Sequence, residues 1–167
     1  MSAYGAISKP IYQSILLSPT LWRVKSKSNS GVAAPAQYVV MFHLTLAAAT
    51  SHEGLVDFMH NEFADEIERG DTYPQEALPG ERLTKEAFVS YYFAADVLLG
   101  LVTSEDDLLK LGASCSDLDE ETGKEIQTDF DAVRAGRDWK DCVAGFYYVR
   151  SNLHDTAVIN RRVLTFE

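Results

Sequence analysis

The stretch DWKDCVAGFYYVRSN, residues 138–152, decides how the rest of the chain is interpreted. Aromatic and β-branched side chains fill its second half, and such side chains favour strands. Gly145 interrupts the run, and a glycine inside a strand often marks a bulge or a close approach of another backbone. Asn152 then signals a turn. We therefore predict one strand over residues 138–152, with most of the fold lying before it.

Charge is distributed unevenly along the 167 residues, whose formal net charge is −10. Residues 1–52 carry four Lys/Arg and no Asp/Glu, whereas residues 53–131 carry five Lys/Arg against 21 Asp/Glu. Clustered Lys and Arg are what bind a phosphate backbone, and an acidic surface is repelled by anionic lipids. The composition therefore predicts that neither nucleic acid nor a membrane is a partner.

Cysteine usage and the apolar stretches bear on the compartment. Cys115 and Cys142 do not form a disulfide framework, so we predict two free thiols in a reducing environment. The N-terminus lacks the basic segment and long apolar run of a signal peptide. The longest apolar stretches, near residues 38–49 and 93–102, fall short of the roughly 20 residues that a transmembrane helix needs. We expect a cytoplasmic protein.

The first strand and the first helix are predicted between residues 37 and 70. Residues 37–48 are apolar on more than one face, which is typical of a strand covered on both sides. From Thr50 onward, apolar residues recur every four positions, and Thr50 with Glu53 matches a capping box. Gly70 is placed to end that helix in the left-handed conformation.

A second helix and a second strand follow. Residues 83–95 carry Phe88, Tyr91 and Tyr92 on one face, with Thr84 as the predicted N-cap. Residues 96–103 then read as a short buried strand.

An acidic insertion occupies residues 104–137 and carries two helical candidates, at 104–111 and 122–135. It lacks the glycine at the sixth position and the bidentate glutamate at the twelfth position that a calcium-binding hand requires. We therefore predict a solvated segment without a metal site, although acidic residues cluster at Asp117, Asp119, Glu120 and Glu121.

The predicted order is strand, helix, helix, strand, insertion and strand, which indicates an α+β fold with a mixed or antiparallel sheet. We divide the chain into a poorly patterned N-terminal segment (1–36), one domain (37–152) and a divergent tail (153–167). The tail could add one more strand.

Three stretches, in this order, carry a family resemblance: EIERGDTYPQ (66–75), LTKEAFVSYYFAADVLLGL (83–101) and DW…VAGFYYV (138–149). Together they resemble the fungal members of the GNAT superfamily of N-acetyltransferases. Within that superfamily they are similar to the yeast enzymes that acetylate toxic proline analogues such as azetidine-2-carboxylate. The resemblance covers roughly residues 50–150.

The resemblance implies a GNAT-like fold and transfer of an acetyl group from acetyl-CoA to a small-molecule amine. In that superfamily a glycine-containing loop, [RQ]-x-x-G-x-[GA], holds the cofactor's pyrophosphate on backbone N–H groups at a helix N-terminus. Each substrate-lining candidate has an alternative role in core packing, and we assign no catalytic base. These candidates are Tyr73, Tyr91, Tyr92, Phe146 and Tyr147.

The end of the sequence departs from the family pattern. Gly145 is the last glycine, so the pyrophosphate loop has no place after the final predicted strand. We therefore expect an incomplete, N-terminal half of the GNAT-like fold, truncated near Asn152 and inactive alone. Residues 153–167 then come from a gene-model artefact or belong to a genuinely shortened protein.

A second interpretation does not involve catalysis. A GNAT-like sheet without its C-terminal elements would leave a sheet edge and one apolar face exposed, and such edges pair with other chains. The alternative function is thus a non-catalytic interaction or oligomerisation module that self-associates through an exposed sheet edge.

Overall fold

The computed structural model describes residues 16–24, 37–69, 82–94, 96–115, 118 and 123–149. The strands in these residues are β1 (Thr20–Val24), β2 (Gln37–Leu44), β3 (Asp96–Thr103), β4 (Lys124–Glu125) and β5 (Val143–Val149). The helices are α1 (Leu46–Ser51), α2 (Leu55–Arg69), α3 (Lys85–Tyr92), α4 (Glu105–Lys110), α5 (Phe130–Arg134) and α6 (Trp139–Cys142). Helices and one sheet along the same chain confirm the predicted α+β fold.

The strands form one sheet in the order β4-β1-β2-β3-β5. β1 runs antiparallel to β2, with Leu21 opposite Val40 and Trp22 opposite Val39. β4 is also antiparallel to β1, but it pairs only with Thr20 and Leu21.

The contacts divide the chain into two compact units. In the described residues, the first unit consists of Leu44–Val97 with the end of β5 from Tyr148 onward. The second unit consists of Leu16–His43 and Leu98–Tyr147, and therefore holds most of the sheet. Each unit is described separately below.

In the first unit, α2 and α3 bury an aromatic and aliphatic core. Leu55, Met59 and Phe63 recur every four residues on α2 and are all buried, as the amphipathic pattern predicted. α3 adds Phe88 and Tyr92, which are buried as well.

In the second unit, the inner face of the sheet packs against short helices. Tyr38, Val40 and Phe42 alternate as the buried residues of β2. The Phe42 ring meets the Phe130 ring of α5 edge-on, with 5.0 Å between centroids, and Phe130 in turn lies 5.9 Å from Trp139 of α6.

The stretch 138–152 was wrongly predicted as a single strand. Residues Trp139–Cys142 form the helix α6, and β5 begins only at Val143. The N–H of Asp141 bonds the carbonyl oxygen of Asp138, and Trp139 and Cys142, three positions apart, are both buried. A spacing of three places both side chains on one helical face, which strand alternation does not do. The residues after Val149 lie outside the described part of the chain.

The predicted boundary between the first strand and the first helix was also wrong. β2 ends at Leu44, and the alanine-rich residues Leu46–Ser51 form α1, whose N-cap is Thr45. Thr50 does not cap a helix, because its hydroxyl donates to the Leu46 carbonyl oxygen inside α1. The long helix α2 starts at Leu55, after a turn in which Gly54 adopts φ 75°.

Other predicted elements were close to those observed. Thr84 caps α3 by accepting from Ala87 N, as predicted. Ser104 likewise caps α4, which lies within the predicted 104–111 helix. Of the predicted helix over residues 122–135, the structure forms only α5. Asp129, in the middle of that range, is the N-cap of α5, and Ala135 ends α5 in the left-handed conformation. β1 was not predicted, because it lies in segment 1–36, where the sequence shows little periodic pattern.

Candidate functional site

Two helices and the end of β5 bring five aromatic side chains together in the first unit. We call this group the tyrosine cluster, and it consists of Phe63, Phe88, Tyr91, Tyr92 and Tyr148. Phe63 comes from α2, Phe88 and both neighbouring tyrosines from α3, and Tyr148 from β5. Phe88 and Tyr92 are four positions apart on α3, which places them on one face of that helix.

Three ring pairs of the cluster meet edge to face. Tyr148 contacts both tyrosines of α3, with centroids 5.4 Å from Tyr91 and 5.0 Å from Tyr92 and interplanar angles of 79° and 77°. Phe63 meets Tyr92 at 5.2 Å and 73°. Edge-to-face pairs at these distances are favoured by the ring quadrupoles, so the cluster holds its rings in defined orientations.

A pair of phenol hydroxyls marks the more accessible side of the cluster. The Tyr91 and Tyr148 hydroxyl oxygens lie 2.5 Å apart, and either phenol can donate to the other. Both residues are half-buried, whereas Tyr92 is only 2% exposed. The hydroxyl pair therefore joins two tyrosines of the cluster that are less buried than Tyr92.

Polar contacts fix α3 against α2. His60 Nε2 donates to the Leu83 carbonyl oxygen at 2.7 Å, just before α3 begins. Lys85 pairs with Asp57 across the two helices. Because these contacts act at the first turn of α3, they set the position from which Tyr91 projects.

Arg82 adds a second connection to α2. Its guanidinium pairs with Asp65 at 2.7 Å and with Glu68 at 3.3 Å. All three side chains are largely exposed to solvent.

Two of the five predicted site residues, Tyr91 and Tyr92, belong to the tyrosine cluster. Phe146 and Tyr147 lie on β5 and are half-buried, and strand alternation turns Tyr147 to the sheet face opposite Tyr148. Tyr73 lies outside the described residues. Sequence reasoning did not select Tyr148 for the site, although its alternation with Phe146 was a usable signal.

Both cysteines are free thiols, as predicted. They lie in the second unit, where the Cys115 thiol and the Tyr38 phenol share a hydrogen bond. Burial raises the pKa of both groups, and it also raises the pKa of the fully buried Cys142 thiol. A raised pKa keeps a thiol protonated and weakens it as a nucleophile.

The described residues contain no group of three or more His, Cys, Asp or Glu side chains arranged to hold a metal ion. In the same residues, every helix is too short or too polar to cross a bilayer. All four residues of the acidic cluster in the insertion lie outside the described ranges.

No protein-family model, curated protein or solved structure matches the chain. The tyrosine cluster must therefore be interpreted from its own chemistry. Ring faces attract cations, and phenol hydroxyls both donate and accept hydrogen bonds. This combination suits a small ligand that carries an amine or ammonium group beside a hydrogen-bonding group.

Proposed function

We propose that these 167 residues form the scaffold part of an N-acetyltransferase that moves an acetyl group from acetyl-CoA to a small-molecule amine. One observation carries the proposal. Tyr91 and Tyr148 come from two of the stretches that resemble the GNAT superfamily, they are 57 positions apart, and their hydroxyls bond each other. Residues that resemble one family at separate places in the sequence thus meet at a single site.

The chemistry of the tyrosine cluster supports an amine as the acceptor. Tyrosine ring faces attract cations, which favours an ammonium group as the part of the acceptor that meets the cluster. The paired hydroxyls of Tyr91 and Tyr148 can orient a neighbouring polar group of the same molecule. In this proposal both tyrosines bind the acceptor, and neither is assigned as the base that takes its proton.

The described residues do not fit the pyrophosphate of acetyl-CoA. Such an anion needs open N–H groups at a helix N-terminus, free of competing side chains. Side chains already accept from the first turn of four described helices, namely Thr45 on α1, Thr84 on α3, Ser104 on α4 and Asp129 on α5. The other two described helices begin close behind the carboxylates of Glu53 and Asp138, which would repel an anion. We therefore propose that these residues alone do not bind acetyl-CoA.

The cofactor half of the proposal is tested by calorimetric titration of the folded chain with acetyl-CoA. We expect no heat of binding. Micromolar or tighter binding would contradict the helix-start argument and would justify activity assays with amine acceptors.

The acceptor half is tested by a nuclear magnetic resonance titration with small cyclic amines, including azetidine-2-carboxylate. We expect shifts at the Tyr91 and Tyr148 ring resonances, and weaker binding in Tyr91→Phe. Aromatic carboxylates that lack an amine, such as mandelate, are the control ligands. If no amine shifts these resonances in a folded sample, the proposed acceptor site is wrong.

A specific observation favours a second function, that of a non-catalytic interaction module. Exposed large apolar side chains are concentrated around β1 rather than scattered over the described surface. A concentrated apolar surface marks an interaction site more often than isolated exposed residues do. Sedimentation or light-scattering measurements of the oligomeric state test this function independently of acetyl-CoA.

A further inference from the structure

Negative charge is concentrated in the part of the chain that supplies most of the tyrosine cluster. Residues 44–97, which include α2 and α3, carry 11 Asp/Glu against three Lys/Arg, so their formal net charge is −8. The whole chain carries −10, so all other residues together account for only −2. A ligand of the cluster therefore meets the most acidic part of the chain.

The three cations of this stretch already pair with carboxylates of α2. These pairs are Lys85 with Asp57, Arg82 with Asp65 and Glu68, and Arg69 with Glu66. A ligand carboxylate would have to compete with α2 for each of these cations. An ammonium group on a ligand instead meets an excess of carboxylates.

Glu66 places one of these carboxylates beside the cluster. It lies three positions after Phe63 on α2, and residues at this spacing are neighbours on one helical face. The Glu66 side chain is 23% exposed, whereas the other ion-paired carboxylates of α2 are 45–60% exposed. Its partner Arg69 is 65% exposed. Glu66 is therefore the more buried member of its pair, one helical turn from a ring of the cluster.

The other carboxylates of α2 act on the cluster through their common field. Since an α-helix rises 1.5 Å per residue, each of them lies within about 9 Å of Phe63 along the helix axis. In 10 mM salt, charges are screened only beyond about 30 Å, so all of them contribute at the cluster. This field attracts a cation, whereas a zwitterion without net charge gains little from it.

We propose that the acceptor bound by the tyrosine cluster is an amine with a net positive charge and no carboxylate. The inference rests on the proposed acetyltransferase function and names the substrate class of its acceptor site. It separates this chain from the yeast enzymes that it resembles, because azetidine-2-carboxylate carries a carboxylate beside its amine. The ring faces and Glu66 attract the ammonium group, and the Tyr91–Tyr148 hydroxyl pair bonds an uncharged polar group of the same ligand.

A nuclear magnetic resonance titration of the full chain with two matched ligands tests the substrate class. Azetidine-2-carboxamide and azetidine-2-carboxylate share a ring and a protonated amine at pH 7, but only the second carries a negative charge. In 10 mM salt, we expect the carboxamide to bind at least about fivefold more tightly. In 150 mM salt, the carboxamide should bind several-fold more weakly than in 10 mM salt, whereas the carboxylate should change little, because screening acts on net charge.

Two variants that each remove one negative charge test the role of Glu66. They are Glu66→Gln and the control Glu125→Gln, which alters an exposed glutamate of β4, a strand that supplies no ring to the cluster. We expect the dissociation constant of the carboxamide to rise about threefold in Glu66→Gln and to change less in the control. Circular dichroism verifies that both variants are folded. Equal changes in the two variants would overturn the assignment of Glu66.

The two ligands also separate this inference from the proposed function on which it rests. If the carboxylate binds as tightly as the carboxamide, the substrate class is wrong, and the amine acceptor site still stands. If neither ligand shifts the Tyr91 and Tyr148 ring resonances of the folded chain, both this inference and the proposed acceptor site are wrong.

Discussion

The guanidinium of Arg137 spans from the turn after α5 to the neighbouring strand β3, where its Nη2 donates to the Val102 carbonyl oxygen at 2.7 Å. The same nitrogen donates to the Val133 carbonyl oxygen at 2.8 Å, and Nε donates to the Arg134 carbonyl oxygen at 3.0 Å. Helical N–H groups do not reach the carbonyls of Val133 and Arg134 in the last turn of α5, and the main-chain N–H of Arg137 also donates to the Arg134 carbonyl oxygen at 3.1 Å. One side chain therefore closes the end of α5 and fastens it to the sheet.

Replacing Arg137 should destabilise the second unit. Arg137→Ala removes three hydrogen bonds from a charged donor, and we expect the free energy of unfolding to fall by about 2 kcal/mol. Urea denaturation measures the change. Arg82→Ala is the control, because its exposed ion pairs with Asp65 and Glu68 should contribute less than about 1 kcal/mol. Equal losses in the two variants would contradict the role given to Arg137.

Gly100 should be intolerant of a methyl group. A Cβ at this position would lie 2.8 Å from Val39 Cγ1 and 3.0 Å from Met41 Sδ, both on the adjacent strand. We expect Gly100→Ala to lower the free energy of unfolding by about 1–3 kcal/mol through overpacking. The double variant with Val39→Ala makes room, so its cost should be smaller than the sum of the two single costs. Additive costs would show that the two positions do not crowd each other.

The hydroxyl pair of the tyrosine cluster should show energetic coupling. Tyr91→Phe and Tyr148→Phe each keep a ring but remove one partner of the 2.5 Å contact. Each should lower the free energy of unfolding by about 1 kcal/mol, and the double variant should lose little more than either single variant. A double-mutant cycle from denaturant unfolding measures the coupling. A coupling energy of zero would mean that the hydroxyl pair does not stabilise the fold.

The free energy of unfolding should decrease at alkaline pH. Burial raises the pKa of the Cys142 thiol above its ordinary value near 9.0, so the folded state favours the protonated form. That contribution is fully present below the pKa of the unfolded thiol and is lost as the pH rises through the higher pKa of the folded thiol. Burial also raises the pKa of Cys115 and Tyr38, and both act in the same direction.

Thermal unfolding between pH 7 and pH 10 tests this dependence. The midpoint temperature of unfolding should be constant near pH 7 and should then fall with rising pH as the thiols ionise in the unfolded chain. Cys142→Ala removes one titrating group, so its midpoint should fall less steeply with pH than that of the wild type, whatever its value at pH 7. Identical slopes in both proteins would contradict a protonated, buried thiol at this position.

Short-range patterns were sufficient for several elements. The caps at Thr84 and Ser104 join a side chain to an N–H three residues away, and the stripe on α2 repeats every four residues. Interactions of this range depend only on neighbouring residues, so their pattern is visible in the chain. The α+β class followed from the order of such elements.

At residues 138–142, in contrast, local patterns predicted the wrong element. Asp, Trp and Cys have no strong preference for a helix, and the strand-forming residues after Val143 extended the predicted strand backward. The burial of Trp139 against Phe130 and Arg134 favours a helical turn there, since the Arg134 guanidinium carbon lies 3.7 Å from the centre of the Trp139 ring system. Those partners are defined only once α5 has packed against the sheet.

Long-range contacts decided the remaining features of both units. β1 exists because Leu21 is buried between β2 and β4, whose paired residues lie 19 and 103 positions away in the chain. Tyr148 joins the tyrosine cluster across 57 positions. A strand or an aromatic cluster of this kind is stabilised by hydrogen bonds and ring contacts to residues that only folding brings near, and no local periodicity encodes such partners.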